Sequence, residues 1–183
     1  MSELYLVNHR PPKHEPFKNI MRLSKDEAFE RAAKLFADND CKASERFGSS
    51  QFPDYYATRI KAEKWLYDNF IKHGGKPKTA HPLYFYVHDW DLATYFWTGG
   101  VVEKISLTDI DLCDISFTFG DSCGAVDNPE LHYFFMKDEL IELVATHGCI
   151  ENLLDYVKQE IGYGMIEAHL WNDKYVLMGG LTS

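Results

Sequence analysis

The spacing of apolar residues changes along this chain, and that change limits the possible folds more than any other feature. Between residues 25 and 70 the apolar positions recur at helical intervals, whereas short β-type runs separated by turns and further helices follow. Strands that are grouped and joined by short turns favour a mixed or antiparallel sheet over a doubly wound parallel one. The sequence therefore predicts an α+β fold with about four helices and six or seven strands.

The first two helices have clear boundaries in the sequence. Ser24 and Glu27 form a capping box, in which each side chain can bond the other residue's backbone N–H, and they predict a helix from Lys25 to Ala37. Asp54 can cap a second helix that runs to Phe70 and ends before the glycine pair at 74–75.

The remaining elements follow from β-type runs and glycine breaks. Strands are predicted at Leu4–Val7, Leu83–Val87, Val101–Ile105, Ile115–Phe119, Leu131–Phe135, Met165–Trp171 and Tyr175–Met178, and further helices at Ala93–Phe96, Asp138–His147 and Ile150–Ile161. Asn172 and Asp173 suit a two-residue turn, so the last two strands are predicted to form a hairpin.

Length and composition indicate one domain over residues 1–183, with basic (1–80) and acidic (81–183) halves and no linker between them. Hydrophobic residues make up 45% of the chain, but no apolar run approaches the roughly 18 residues that cross a bilayer. The N-terminus lacks a signal-peptide pattern, so a cytoplasmic location is expected. The four cysteines and eight histidines show no metal-ligand spacing, and neither a metal nor another cofactor is predicted.

Charge is distributed unevenly along the sequence. The net charge is −9, yet residues 1–80 hold 15 Lys and Arg against 11 Asp and Glu, a net of +4, while residues 81–183 hold 4 against 17, a net of −13. An acidic surface repels nucleic-acid phosphates and suits docking on a basic, nucleic-acid-binding protein. An ordinary solvated surface explains the same composition equally well.

Aspartates provide the first candidate site. They are predicted to contact a basic partner, and they comprise Asp89, Asp91, Asp109, Asp111 and Asp114. Four of them, without Asp114, are alternatively the ligands of a metal-dependent hydrolase or nuclease, because hard cations such as Mg²⁺ take carboxylate oxygens. Structural capping of turns and helices is favoured over metal binding, since each lies where such caps occur.

Two further candidates concern catalysis. Alternation places Glu167 and His169 on one face of a strand, where they could transfer protons, although a solvent-exposed polar face is the favoured interpretation. Cys123 lies in a small-residue loop after a strand, which suits an exposed thiol, but a plain glycine turn is favoured there. The sequence therefore predicts no catalytic residue.

Basic residues on and after the second helix are predicted to contact nucleic acid. They are Lys61, Lys64, Lys72, Lys76 and Lys78, and helical steps of about 100° place the first three on one side. Arg59 points elsewhere and is predicted to be partly buried or paired with Glu63. A solvated helix face is the favoured alternative.

Several segments carry a resemblance to known proteins. The run from Arg59 to Phe70, the segment His81–Phe85 and the run Ile115–Ser122 resemble uncharacterised small proteins of gut Firmicutes. In size, acidity and lack of catalytic motifs, the chain is similar to anti-CRISPR proteins that inhibit Cas9. This second resemblance rests on general character and transfers no site residues.

These observations lead to two functional hypotheses. The preferred one is a non-enzymatic inhibitor that binds a nucleic-acid-processing protein, such as a Cas9-type nuclease, and touches nucleic acid through its basic helix. The alternative is the small metal-dependent hydrolase or nuclease.

Overall fold

The computed structural model describes residues 3–11, 14–38, 41–89, 93–97, 99–162 and 164–179. Six helices lie within these ranges: α1 (Lys25–Asp38), α2 (Phe52–Lys72), α3 (Ala93–Phe96), α4 (Lys137–His147), α5 (Ile150–Ile161) and α6 (Lys174–Gly179). Six strands accompany them: β1 (Tyr5–Arg10), β2 (Leu83–Val87), β3 (Val101–Ser106), β4 (Ile115–Phe119), β5 (Phe134–Met136) and β6 (Ile166–Leu170).

The strands form one antiparallel sheet in the order β3-β1-β2-β6-β4-β5. Strand β6 lies in the middle, where Ala168 is opposite Phe85 of β2 and Phe117 of β4. The α+β prediction is therefore confirmed, with a purely antiparallel sheet and four helices of more than two turns. The Ser24–Glu27 capping box at the start of α1 also forms as predicted.

Two predicted strands differ from the structure. Strand β5 covers Phe134–Met136 rather than Leu131–Phe135, because backbone bonds to Asn128 fold the residues before it into a turn. The predicted hairpin is wrong, since the residues from Lys174 to Gly179 form helix α6. The Asn172 side chain accepts a hydrogen bond from the Lys174 N–H, an Asx-turn that leads directly into this helix.

One face of the sheet is apolar and packs against α4 and α5. Leu6, Phe85, Phe117, Phe135 and Ala168 point to this side, as the two-residue period of a strand requires. Leu140 and Val144 of α4 and Leu153 and Val157 of α5 cover them, and all of these residues are buried. This layer is the larger part of the hydrophobic core.

The opposite face of the sheet is polar, and α2 covers it. The strands contribute Tyr84, Tyr86, Ser116, Thr118, Glu167 and His169 to this side. Helix α2 contributes Leu66 and Phe70, which pack near Trp171, and the buried pair Arg59 and Glu63. Helix α1 lies against the first turns of α2 through Ala28, Ala32 and Phe52. Charged groups therefore occupy an interior layer.

Candidate functional site

The aspartates predicted to bind a partner lie at two ends of the sheet. Asp109 and Asp111 are exposed, and Asp111 is paired with Lys174 at 2.8 Å, which together with the Tyr175 hydroxyl lowers the pKa of its carboxyl. Asp114 is only 3% exposed and accepts hydrogen bonds from the Tyr175 hydroxyl and the Asn172 amide. Burial removes Asp114 from any contact surface.

Asp89 lies beyond the other end of β2. Its carboxylate accepts hydrogen bonds from Tyr5 and Lys104, and these outweigh the effect of burial and lower its pKa. Asp114 precedes Ile115, which is level with Leu83 at the start of β2, so the length of that strand separates the two aspartates. The four residue steps from Leu83 to Val87 span about 13 Å, and this is the length of sheet that separates Asp114 from Asp89.

The structure therefore does not gather the aspartates into one metal site. Asp91, the fourth proposed ligand, lies outside the described residues. Within the part of the chain that is described, no three His, Cys, Asp or Glu side chains are arranged to hold a metal ion.

The predicted nucleic-acid-binding lysines are all exposed. Lys61 and Lys72 have no ion-pair partner among the described residues, whereas Lys64 pairs with Asp68 at 2.6 Å. Lys76 and Lys78 follow α2, and their backbone N–H groups bond Cys113 and Trp171. The exposed face of α2 also carries Ile60, Tyr67 and Ile71. Its positive charge is modest, because Asp54 and Asp68 accompany the three lysines.

Arg59 is the cation of the interior polar layer, as its predicted pairing with Glu63 implied. The side chain is buried, and its guanidinium lies 3.5 Å from Glu63 and 3.9 Å from the centre of the Tyr84 ring. It also contacts the Ser122 hydroxyl and the Cys123 sulfur. One arginine thus joins α2, strand β2 and the loop after β4.

Glu167 is a buried carboxylate, only 5% exposed, and not the solvent-facing residue that the favoured interpretation expected. The Ser122 backbone N–H and hydroxyl donate to it at 3.0 and 2.9 Å. Burial acts to raise its pKa, but His169, Arg59 and the Ser122 N–H outweigh burial and hold the pKa below its ordinary value. The carboxyl group is therefore ionised at neutral pH.

His169 is fully buried beside Glu167. The Trp171 indole N–H donates to the Ser116 hydroxyl at 3.0 Å, and the oxygen of this hydroxyl lies 3.4 Å from His169 Nδ1. His169 Nε2 is 3.4 Å from Glu167 Oε1 but does not meet hydrogen-bond geometry.

Glu63 holds the second half of the polar layer. Its Oε1 accepts from the Asn19 amide and the Tyr84 hydroxyl, both at 3.0 Å, and its Oε2 lies 2.5 Å from His81 Nδ1. These contacts connect α2 to the loop before α1 and to the start of β2. Both carboxylates of the layer therefore have several hydrogen-bond donors, as buried charges require.

Cys123 lies at the outer edge of this layer. Burial raises the pKa of its thiol to about 12, and the nearby Arg59 guanidinium lowers it too little to compensate. A protonated thiol is a poor nucleophile. The side chains that could perform proton transfer, Glu167 and His169, are likewise covered by α2.

Sequence reasoning identified Glu167 and His169 as a pair and Arg59 with Glu63 as another, but it missed the other members of the polar layer, namely Asn19, His81, Tyr84, Ser116 and Ser122. A signal existed for two members of the layer. Arg59, Glu63, Leu66 and Phe70 recur at intervals of four, three and four residues, which places the charged pair on the buried stripe of α2.

The outer surfaces of α4 and α5 form an acidic face. They expose five carboxylates, from Asp138, Glu142, Glu151, Asp155 and Glu160, and one lysine, Lys158. The two helices lie on the opposite side of the sheet from α2. The uneven charge of the sequence therefore appears in the fold as a difference in charge between the α4–α5 side and the α2 side of the sheet. We call the α4–α5 surface the acidic face.

Comparison with protein-family models, with curated proteins and with solved structures finds no match to this chain. None of the described helices is both long enough and apolar enough to cross a membrane.

Proposed function

We propose that this protein is a binding protein whose acidic face docks on a basic, nucleic-acid-processing protein. The observation that carries the proposal is the set of exposed carboxylates on α4 and α5. One of the five, Glu151, lies 3.7 Å from the imidazole Nε2 of His88. Carboxylates without a nearby cation produce a field that steers a positively charged partner.

The interior polar layer supports binding over catalysis as the primary activity. Its two carboxylates, Glu63 and Glu167, are occupied by Arg59, Ser122, Tyr84 and His81, and helix α2 separates them from solvent. A catalytic base needs a substrate within hydrogen-bond reach. The acidic face needs no rearrangement to meet a partner.

The partner that we propose is a Cas9-type nuclease, which holds nucleic acid in a positively charged channel. The acidic face would occupy that channel in place of phosphates. Lys61 and Lys72 lie on the other side of the molecule, where they are placed to contact guide or target nucleic acid that extends from the channel.

The proposal is tested by DNA cleavage with a guide-loaded Cas9-type nuclease in the presence of increasing amounts of the protein. We expect cleavage to fall at near-stoichiometric ratios and association to slow as salt rises, because salt screens the steering field within about 8 Å at physiological ionic strength. Cleavage that is unaffected at a large molar excess would rule out this nuclease as the target.

A matched pair of variants separates the acidic face from net charge. The test variant is Glu142→Gln, Asp155→Asn and Glu160→Gln, and the control variant is Glu30→Gln, Glu45→Gln and Asp68→Asn on the α1–α2 side. Both remove three negative charges from exposed positions. We expect the association rate to fall about tenfold in the test variant alone. Equal losses in both would mean that overall charge, not the acidic face, determines binding.

A further inference from the structure

A cavity opens where helix α1 faces the start of α2. Its volume is about 220 Å³, and α1 provides one wall while the segment that leads into α2 provides the other. Phe29, Ala33 and Phe36 line it from α1, and Phe47 and Phe52 line it from the opposite side. Four phenylalanines therefore contribute to its surface.

The α1 wall is shaped by the spacing of its residues. Phe29, Ala33 and Phe36 follow one another at intervals of four and three residues, so they share one side of the helix. Phe29 and Phe36 are separated by about 10.5 Å of helix, and between them Ala33 projects only a methyl group. A slot therefore lies between the two phenylalanines, because the side chain between them is small.

The aromatic walls are held in place by their neighbours. The Phe29 ring meets the Phe52 ring edge to face, with 4.9 Å between the ring centres, and the Phe52 ring centre is 6.0 Å from that of Phe47. Phe36 is 46% exposed, yet it lies over Gly48, where a Cβ atom would come within 3.2 Å of its ring. The walls are thus preformed, and a ligand does not have to order them.

The lining determines the chemistry of a ligand. Among the described residues that line the cavity, Ser49 alone has a polar side chain, and none is charged. A charged group would lose its water there and find no ionic partner, so the cavity favours uncharged molecules. Aromatic pairs keep their ring centres about 4.5–7 Å apart, and a ring midway along the slot lies about 5 Å from Phe29 and from Phe36.

The size of the cavity limits the ligand to a small one. An engineered apolar cavity of about 150 Å³ stays free of water and takes up benzene. At about 220 Å³, the cavity beside α1 is large enough for one ring or for two fused rings. Ala33 and Phe36 are exposed, so a ligand reaches the slot directly from solvent.

We propose that this cavity is a binding site for a small, uncharged aromatic molecule of one ring or two fused rings. The ring lies on Ala33 between Phe29 and Phe36, and Phe47 and Phe52 enclose it on the α2 side. A polar substituent points to the open, solvated side, because the apolar lining offers it no hydrogen bond. The site is separate from the acidic face and does not depend on the proposed partner.

The test is a titration of the full-length protein, labelled with ¹³C at its alanine methyl groups, with indole as the probe. We expect saturable shifts of the Ala32 and Ala33 methyl signals, with a dissociation constant of about 1 mM or lower, as the affinity of small ligands per atom predicts. The signal of Ala145 on α4 should not move. No shift, or a shift that does not saturate up to about 10 mM indole, would overturn the proposal.

Phenol and cyclohexanol test whether the ligand must be aromatic, since the two molecules have the same number of heavy atoms and the same hydroxyl group. We expect phenol to bind more tightly, because only phenol has a ring face and edge for the phenylalanines. Equal affinities would overturn the assignment to aromatic molecules.

A variant pair locates the bound ring. Ala33→Leu fills the slot, and Ala37→Leu makes the same exchange one turn further along α1, outside the cavity. Both residues are exposed and leucine is nearly as good a helix former as alanine, so both variants should fold. We expect the affinity for indole, followed at Ala32, to fall about tenfold or more in Ala33→Leu and to be unchanged in Ala37→Leu. Undiminished affinity in Ala33→Leu would contradict the site.

Discussion

The two faces of the sheet are built from the same strands, yet α4–α5 and α2 cover them by different means. Under α4 and α5, aromatic and aliphatic side chains interlock, and their stability depends on volume. Under α2, two carboxylates, an arginine and a histidine are enclosed, and their stability depends on every charge having its partner. The comparison teaches that burial alone does not define a core. A polar layer tolerates changes in size but not the loss of one charge.

The largest expected effect is on the polar layer. Arg59→Met keeps much of the side-chain volume but leaves Glu63 and Glu167 without their buried cation, so we expect a loss of about 3–5 kcal/mol in the free energy of unfolding. Leu140→Met on the apolar face, which conserves the side-chain volume, is the matched control and should cost less than about 1.5 kcal/mol. Urea denaturation measures both. Similar losses in the two variants would remove the distinction between the faces.

The second-largest expected effect is a dependence of the free energy of unfolding on pH, through the Glu167 carboxylate. The folded pKa of Glu167 lies below the unfolded value of 4.5, so the unfolded chain takes up the proton first as the pH falls. The stabilisation by this carboxylate is full above the unfolded pKa and is lost as the pH drops through the folded pKa.

Glu167→Gln tests this dependence. We expect it to cost about 1–3 kcal/mol at pH 7, because Arg59, Ser122 and His169 lose their anionic partner. The difference from the wild type should shrink as the pH falls below about 4.5. Unfolding free energies measured between pH 7 and pH 3 provide the check, and a difference that is constant with pH would contradict it.

A smaller effect concerns the thiol at the edge of the polar layer. With a pKa of about 12, Cys123 has little thiolate at pH 8, so we expect it to react with a maleimide far more slowly than an unfolded cysteine peptide. Mass spectrometry of tryptic peptides locates the label, and the urea-unfolded protein serves as the control. Labelling of Cys123 at the rate of the unfolded protein would show that this edge is open to solvent.

The smallest effect on stability is expected at the exposed lysines of α2. Lys61→Ala and Lys72→Ala should change the free energy of unfolding by no more than about 0.5 kcal/mol, because both side chains are solvated. If this face binds nucleic acid, each of the two substitutions removes about one phosphate contact and reduces the salt dependence of binding to single-stranded DNA.

Lys64→Ala is the internal comparison for that experiment. Asp68 already pairs with this lysine, so its removal should weaken DNA binding less than the removal of Lys61 or Lys72. Fluorescence anisotropy at several salt concentrations gives all three slopes. A larger loss with Lys64→Ala than with the other two would contradict this ranking.

The elements of the sheet were predictable, but the character of its faces was not. Alternation correctly placed Glu167 and His169 on one side of β6. Whether that side meets water depends on α2, which is distant in sequence, and a single strand carries no information about its cover. Arg59 and Glu63 on the buried stripe of α2 were the available sign of a polar interior.

The end of the chain shows a different limit. Asn172 is as suitable for capping a helix as for a turn, and the residues after it carry no decisive pattern. These residues form helix α6 because of tertiary contacts. The Tyr175 hydroxyl donates a hydrogen bond to Asp114, and Lys174 forms an ion pair with Asp111. Both partners belong to the loop before β4, so local sequence could not reveal them.

The central place of β6 has a consequence for biosynthesis. Because β6 alone joins β2 to β4, the part-sheets β3-β1-β2 and β4-β5 each keep an open edge of unpaired backbone N–H and C=O groups until residues 166–170 have left the ribosome. Translation at about 5–20 residues per second needs a few seconds to pass from β5 to β6. During that interval the nascent chain displays two unpaired edges that could join neighbouring chains. The protein therefore completes its sheet only after synthesis of β6. A nonsense mutation before that strand would leave the part-sheets β3-β1-β2 and β4-β5 without the strand that connects them.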